Sequence, residues 1–88
     1  MAWTIHLSVE ASRQLSRLPR EHQAILGHAI DRMMTDPFQG DVRPLKGLRW
    51  QGRYRKRVGR DRLIFTPIHH EQKVEISAIL LRTEHTYR

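Results

Sequence analysis

The stretch from Arg53 to Arg62 carries five arginines (Arg53, Arg55, Arg57, Arg60 and Arg62) and one lysine, Lys56, in ten residues. Guanidinium is a planar fork that grips a phosphate or carboxylate at two points and stays charged at any physiological pH. Gly59 accepts positive φ at low cost, so the sequence predicts a turn at Val58-Gly59-Arg60 that folds two strands back on each other. A period of two on the first arm puts Arg53, Arg55 and Arg57 on one face and Tyr54, Lys56 and Val58 on the other. A row of arginines on a stiff hairpin suits a polyanion, either nucleic acid or an acidic protein. The competing reading is a solvated basic face. Arg62 and Arg82 stand apart from that reading, because each sits at the end of an apolar strand where a guanidinium needs a partner.

The hairpin has to be held by the rest of the chain. Trp3, Ile5 and Leu7 alternate with polar residues and predict a short half-buried strand. Ser8 can cap a helix whose apolar positions are Ala11, Leu15 and Leu18, and Pro19 stops it. A longer helix is predicted from Arg20 to Thr35, with Ile25, Leu26, Ala29, Ile30, Met33 and Met34 as its core stripe, before Asp36-Pro37 ends it. The two helices are expected to pack as an antiparallel pair against a sheet.

Residues 37–49 read as a loop carrying Arg43, Lys46 and Arg49. The second arm continues through Leu63 to Ile68, where Pro67 indicates an edge or a bulge. His69 to Gln72 turn the chain. In a last strand Val74, Ile76, Ala78 and Leu80 alternate with Glu75, Ser77, Ile79 and Leu81; it is apolar on both faces at its end and is expected to be central. The order β-α-α-β-β-β predicts an α+β fold, with two N-terminal helices packed on a small antiparallel sheet.

With 88 residues the chain has material for one core, so 1–88 is read as a single domain. The absence of cysteine removes disulfides and thiol chemistry. Adjacent histidines at His69-His70 point apart and lack a third ligand at a zinc-like spacing, so neither metal nor other cofactor is expected. No apolar run approaches the ~20 residues of a membrane span, and the N-terminus lacks a signal-peptide pattern, so a soluble cytoplasmic protein is expected. The net charge of +7 divides as −1 over residues 1–41 and +8 over 42–88, so the cationic character belongs to the half that holds the hairpin.

The chain resembles the RelE/ParE toxins of toxin–antitoxin modules over nearly its whole length. The carriers are Ala11, Leu15-x-x-Leu18-Pro19, Asp36-Pro37, Pro44-Leu45-Lys46-Gly47, Tyr54-Arg55-x-Arg57-Val58-Gly59-x-x-Arg62-Leu63-Ile64-Phe65, and Arg82 with Tyr87. The resemblance implies a cognate antitoxin and one of two activities: cleavage of messenger RNA on the ribosome, or poisoning of DNA gyrase without cleavage. In RelE-like enzymes the positions matching Arg55, Arg57, Arg62, Arg82 and Tyr87 line the site. Cleavage by a 2′-hydroxyl needs a base, an acid and cations on the phosphorane. All three types are present here, which favours the RNA-cleaving side. Arginine is a poor proton shuttle, so His85, two residues from Tyr87, becomes the acid/base candidate. Lys46, Arg49, Arg53, Lys56 and Arg60 are expected to bind nucleic acid around that site. Asp61 stands where relatives are often aromatic, and is expected to orient or neutralise Arg62.

Overall fold

A computed structural model describes residues 2–81. They form strand β1 (Thr4–Leu7), helices α1 (Val9–Arg17) and α2 (Arg20–Met33), and strands β2 (Val42–Pro44), β3 (Tyr54–Val58), β4 (Asp61–Ile68) and β5 (Lys73–Leu81). The five strands make one mixed sheet in the order β1-β5-β4-β3-β2. This is the expected α+β order with one strand more. The addition, β2, lies in the stretch read as a loop, which also holds a 3-10 turn at Leu48–Trp50.

Helix α1 starts where local chemistry favours it. Ser8 accepts a hydrogen bond from the Ala11 N–H at 3.0 Å, and its own hydroxyl donates to the Ser77 carbonyl at 3.1 Å. One side chain therefore caps α1 and ties it to β5. α1 lies over β5 and β1, and α2 approaches β3, so each helix contacts the sheet more than it contacts the other. Leu26, Ala29 and Met33 of α2 are buried, but Ile25 and Met34 are 51% and 45% exposed. The core stripe is thus narrower than expected: positions 26, 29 and 33 stay on one side of a 3.6-residue helix, whereas 25 and 34 fall at its margins. Leu63, Phe65, Val74, Ile76 and Ile79 complete the core from β4 and β5.

β5 departs from simple alternation. Ile64 pairs with Ala78 but Phe65 pairs with Ile76, so Ser77 is the extra residue of a β-bulge. That residue moves the core-facing set from Val74 and Ile76 to Ile79, where strict alternation predicted Ala78 and Leu80. The Ile79 N–H donates to Gln14 Oε1 of α1 at 2.7 Å, so a helix side chain takes up a strand group there. β5 lies between β1 and β4, so it is interior, and β4 rather than β5 takes the centre of the sheet. β3 pairs with β4 only as far as Phe65, so Pro67 meets β5 alone and no ladder bond is lost on its other side.

Val58 pairs with Asp61, leaving Gly59 and Arg60 as a two-residue hairpin loop. Gly59 has φ +59° and Arg60 is not among the residues of positive φ, the sign pattern of a type II′ turn. A Cβ at position 59 would lie 4.0 Å from Ile25 Cγ2, an ordinary contact. Gly59→Ala is therefore expected to cost only the penalty of its positive φ, about 1–3 kcal/mol, with the β-branched Gly59→Val costing more. Urea unfolding of both variants checks this, and equal stability of Gly59→Ala and the parent would contradict the turn geometry.

A candidate nucleic-acid interface on the sheet

Strand register decides which arginines meet. Tyr54 and Val58 pack against the core, so β3 turns Arg55 and Arg57 to the face opposite the helices. Register places Arg43 of β2 opposite Arg55, and Arg62 of β4 opposite Arg57. Four guanidiniums from three strands thus share one face. Directly opposed like charges destabilise a sheet. At each pair an anion, from this chain or from a ligand, offsets the repulsion. Arg62 is deeply set, at 8% exposure, beside the buried Ile64.

Among the described residues, Asp41 sets a carboxylate against this charge. Asp41 Oδ1 accepts a hydrogen bond from Arg55 Nη1 at 3.2 Å, and Asp41 Oδ2 lies 3.9 Å from Arg57 Nε, a charge contact beyond hydrogen-bond range. The hydrogen bond from Arg55, with the nearby charges of Arg55, Arg57 and Arg43, holds the Asp41 carboxyl below its ordinary value of 3.8. A depressed carboxylate contributes stability above its unfolded value and loses it as pH falls through the folded one. An NMR titration of Asp41 is accordingly expected to give a midpoint below 3.8, rising towards the ordinary value in Arg55→Gln. An unchanged midpoint in that variant would remove Arg55 as the cause.

The remaining expected residues are distributed differently. Arg53 precedes β3 and does not continue the row of Arg55 and Arg57; its guanidinium lies 5.7 Å from the centre of the Trp50 ring. Lys46 lines a cleft of about 340 Å³ with Arg43, Pro44, Leu45, Trp50 and Arg55. Arg49 is exposed on the adjoining 3-10 turn. Arg60 sits at the hairpin tip and borders a separate hollow with Glu21, His22 and Ile25. Arg82, His85 and Tyr87 lie outside the described residues.

Lys56 is a correction. It is 6% exposed on the helix side of the sheet, and its Nζ donates to the Gln39 carbonyl at 2.7 Å. Burial lowers its pKa from the usual lysine value. The period that aligned Tyr54, Lys56 and Val58 holds, and it takes Lys56 away from the arginine face. Asp61 is a second correction: it is buried on the same side as Lys56, and its Oδ2 lies 2.9 Å from His22 Nδ1 of α2. It anchors the hairpin to the helix and does not share a face with Arg62. Asp41 was missed, and Arg43 was named without a place on this face, because both lie in the stretch read as a loop; Trp50 falls just beyond that stretch. The alternation of Val42 with Asp41 and Arg43 was the available signal.

No protein-family model matches the sequence, and no curated protein is similar enough in sequence to count as a relative. Solved structures are similar in shape. The RelBE2 toxin–antitoxin complex from Mycobacterium tuberculosis includes a chain that aligns with TM-score 0.84 at 22% identity, over 93% of this chain and 100% of that one. A chain of the archaeal RelE–RelB complex from Pyrococcus horikoshii aligns with TM-score 0.80 at 22% identity, over 96% and 99%. This chain has the RelE/ParE toxin fold. A YoeB/ParE toxin from Agrobacterium tumefaciens aligns with TM-score 0.75 at 16% identity, over 91% and 99%. The RelE/ParE fold thus tolerates wide divergence in sequence, and in this chain it presents Arg43, Arg55, Arg57 and Arg62 on the face that the helices leave uncovered.

Proposed function

We propose that the protein is the toxin of a type II toxin–antitoxin pair and cuts messenger RNA bound in the ribosome, without a metal, in the cytoplasm. The observation that carries this reading is the double cross-strand arginine pairing, Arg43 with Arg55 and Arg57 with Arg62. Such a face suits a phosphate whose charge rises at the phosphorane, because preorganised donors are worth most where charge develops. The 2′-oxygen attacks phosphorus as its proton passes to a base, the bond from phosphorus to the 5′-oxygen breaks, and an acid protonates the leaving oxygen. Arg55, Arg57 and Arg62 hold the phosphate. Arg82, His85 and Tyr87 are assigned to complete the site, with His85 as the proton-exchanging group.

A cognate antitoxin is part of the proposal. Two of the similar folds were solved as toxin–antitoxin complexes, and a face with four arginines suits an acidic peptide that folds as it binds. Inducible expression followed by primer extension on cellular messages tests the activity. Cuts within codons, abolished by co-expression of the neighbouring small protein, support the reading. Intact messages with DNA damage and filamentation would instead place the protein with gyrase poisons.

A further inference from the structure

We infer that the cleft between β2 and the Leu48–Trp50 turn is a base-stacking subsite for single-stranded RNA, with Trp50 as its platform. The proposal rests on the reading of the arginine face as an RNA-binding surface. Its platform, Trp50, and the walls Pro44 and Leu45 are separate from the residues assigned to cleavage, and Arg55 is shared by both. Pro44, Leu45 and Trp50 supply apolar walls, and Arg43, Lys46 and Arg55 supply three cations around one opening. At about 340 Å³ the cleft stands at the lower end of small-ligand sites, a size suited to one nucleotide rather than a peptide segment.

The walls and the charges suit different parts of a nucleotide. Trp50 is half-buried, and the Arg53 guanidinium carbon lies 5.7 Å from its ring centre, within reach of a cation–π contact. Every nucleobase has a π face, and stacking on an aromatic side chain is a common way for proteins to hold an unpaired base. Arg43 and Arg55 belong both to this cleft and to the cross-strand row that continues to Arg57 and Arg62. A strand whose phosphate lies on Arg57 and Arg62 therefore has its neighbouring phosphate within the span of Arg43 and Arg55, and the attached base beside Trp50. The chain places Trp50 there deliberately in its backbone: the Trp50 N–H donates to the Gly47 carbonyl, the Arg53 N–H donates to the Trp50 carbonyl, and the Leu45 N–H donates to the Arg53 carbonyl, at 3.1, 2.9 and 2.9 Å. Gly47, at φ +98°, opens that turn.

The test uses the full chain and a fluorescein-labelled 2′-O-methyl hexanucleotide, which lacks the attacking hydroxyl and is not consumed. Fluorescence anisotropy is expected to show Trp50→Leu binding about 5- to 150-fold more weakly than the parent, the range for losing one stacked base. Trp50→Tyr, which keeps an aromatic face, is expected to restore most of that loss. Inorganic polyphosphate, a probe with phosphates and no bases, is expected to compete equally well against the parent and Trp50→Leu. Parent-like RNA binding by Trp50→Leu would overturn the subsite, as would an equal loss of affinity for polyphosphate. If Arg62→Ala loses RNA binding while Trp50→Leu keeps it, the subsite fails and the arginine face stands. If the parent itself binds no hexanucleotide at low salt, both fail together.

Discussion

Arg62→Ala is expected to slow cleavage of ribosome-bound message by about 10²-fold or more, the usual cost of losing one preorganised donor to a transition state. The reason is placement. Arg62 is 8% exposed on the central strand, directly across from Arg57, so its guanidinium is held by strand geometry rather than by a long search among rotamers. Its removal also takes away one member of an opposed like-charge pair, so folding stability is expected to change far less than the rate. Lys56→Met is the matched control: it deletes a cation from the neighbouring strand on the helix side, where the ammonium serves Gln39, and it should leave cleavage near the parent's rate. Single-turnover cleavage with circular dichroism as the folding check separates the outcomes. A parent-like rate in folded Arg62→Ala would make the arginine face a docking surface and the catalytic assignment wrong.

Phe65→Ala is expected to cost about 3–5 kcal/mol of stability, a large part of what a chain of 88 residues possesses. Phe65 is fully buried, stacks with Tyr54 at 5.8 Å and meets Phe38 at 6.2 Å. Phe38 in turn stacks on His69, and His69 meets the edge of Trp3, so one series of rings joins the residue before β1, the α2–β2 connection, β3, β4 and the β4–β5 connection. Removing the Phe65 ring leaves a cavity bordered by Tyr54 of β3 and Phe38 of the α2–β2 connection, and walls from separate segments relax only partly into it. Urea titration is the measurement. A loss below about 1 kcal/mol, far under the usual range for deleting a core ring, would mean that the series is not packed as described.

The elements with a clear period were legible in the sequence. The spacing of Leu26, Ala29 and Met33, the Ser8 cap and the Gly59 turn all act within a few residues, so local pattern suffices for them. β2 was not legible because three residues with a proline among them carry almost no period, and β3 is what makes them a strand. The bulge at Ser77 was hidden for another reason: the groups it releases are taken up by Gln14 and Ser8, more than sixty residues away in sequence. On the arginine face, the shared side of Arg55 and Arg57 was readable from the period of two, but the meetings of Arg43 with Arg55 and of Arg62 with Arg57 depend on pairing. The burial of Lys56 was implicit in the alternation with Tyr54 and Val58, and only the depth of the helix side turned that alternation into a hydrogen bond to Gln39.

The parallel pairing of β1 with β5 bears on how the protein is made. Thr4 meets Lys73, and Leu7 meets Ile76, so the first strand waits for a partner synthesised almost seventy residues later. Until β5 emerges, β1 has no neighbour in the sheet, and α1 lacks both the strand it lies over and the Ser77 carbonyl that its Ser8 cap holds. The β3–β4 hairpin needs only its own turn, and is free to form earlier in the growing chain. Translation would thus deliver the arginine hairpin before the scaffold that fixes it. Any acidic partner present during synthesis meets that basic hairpin while the chain is still unfinished.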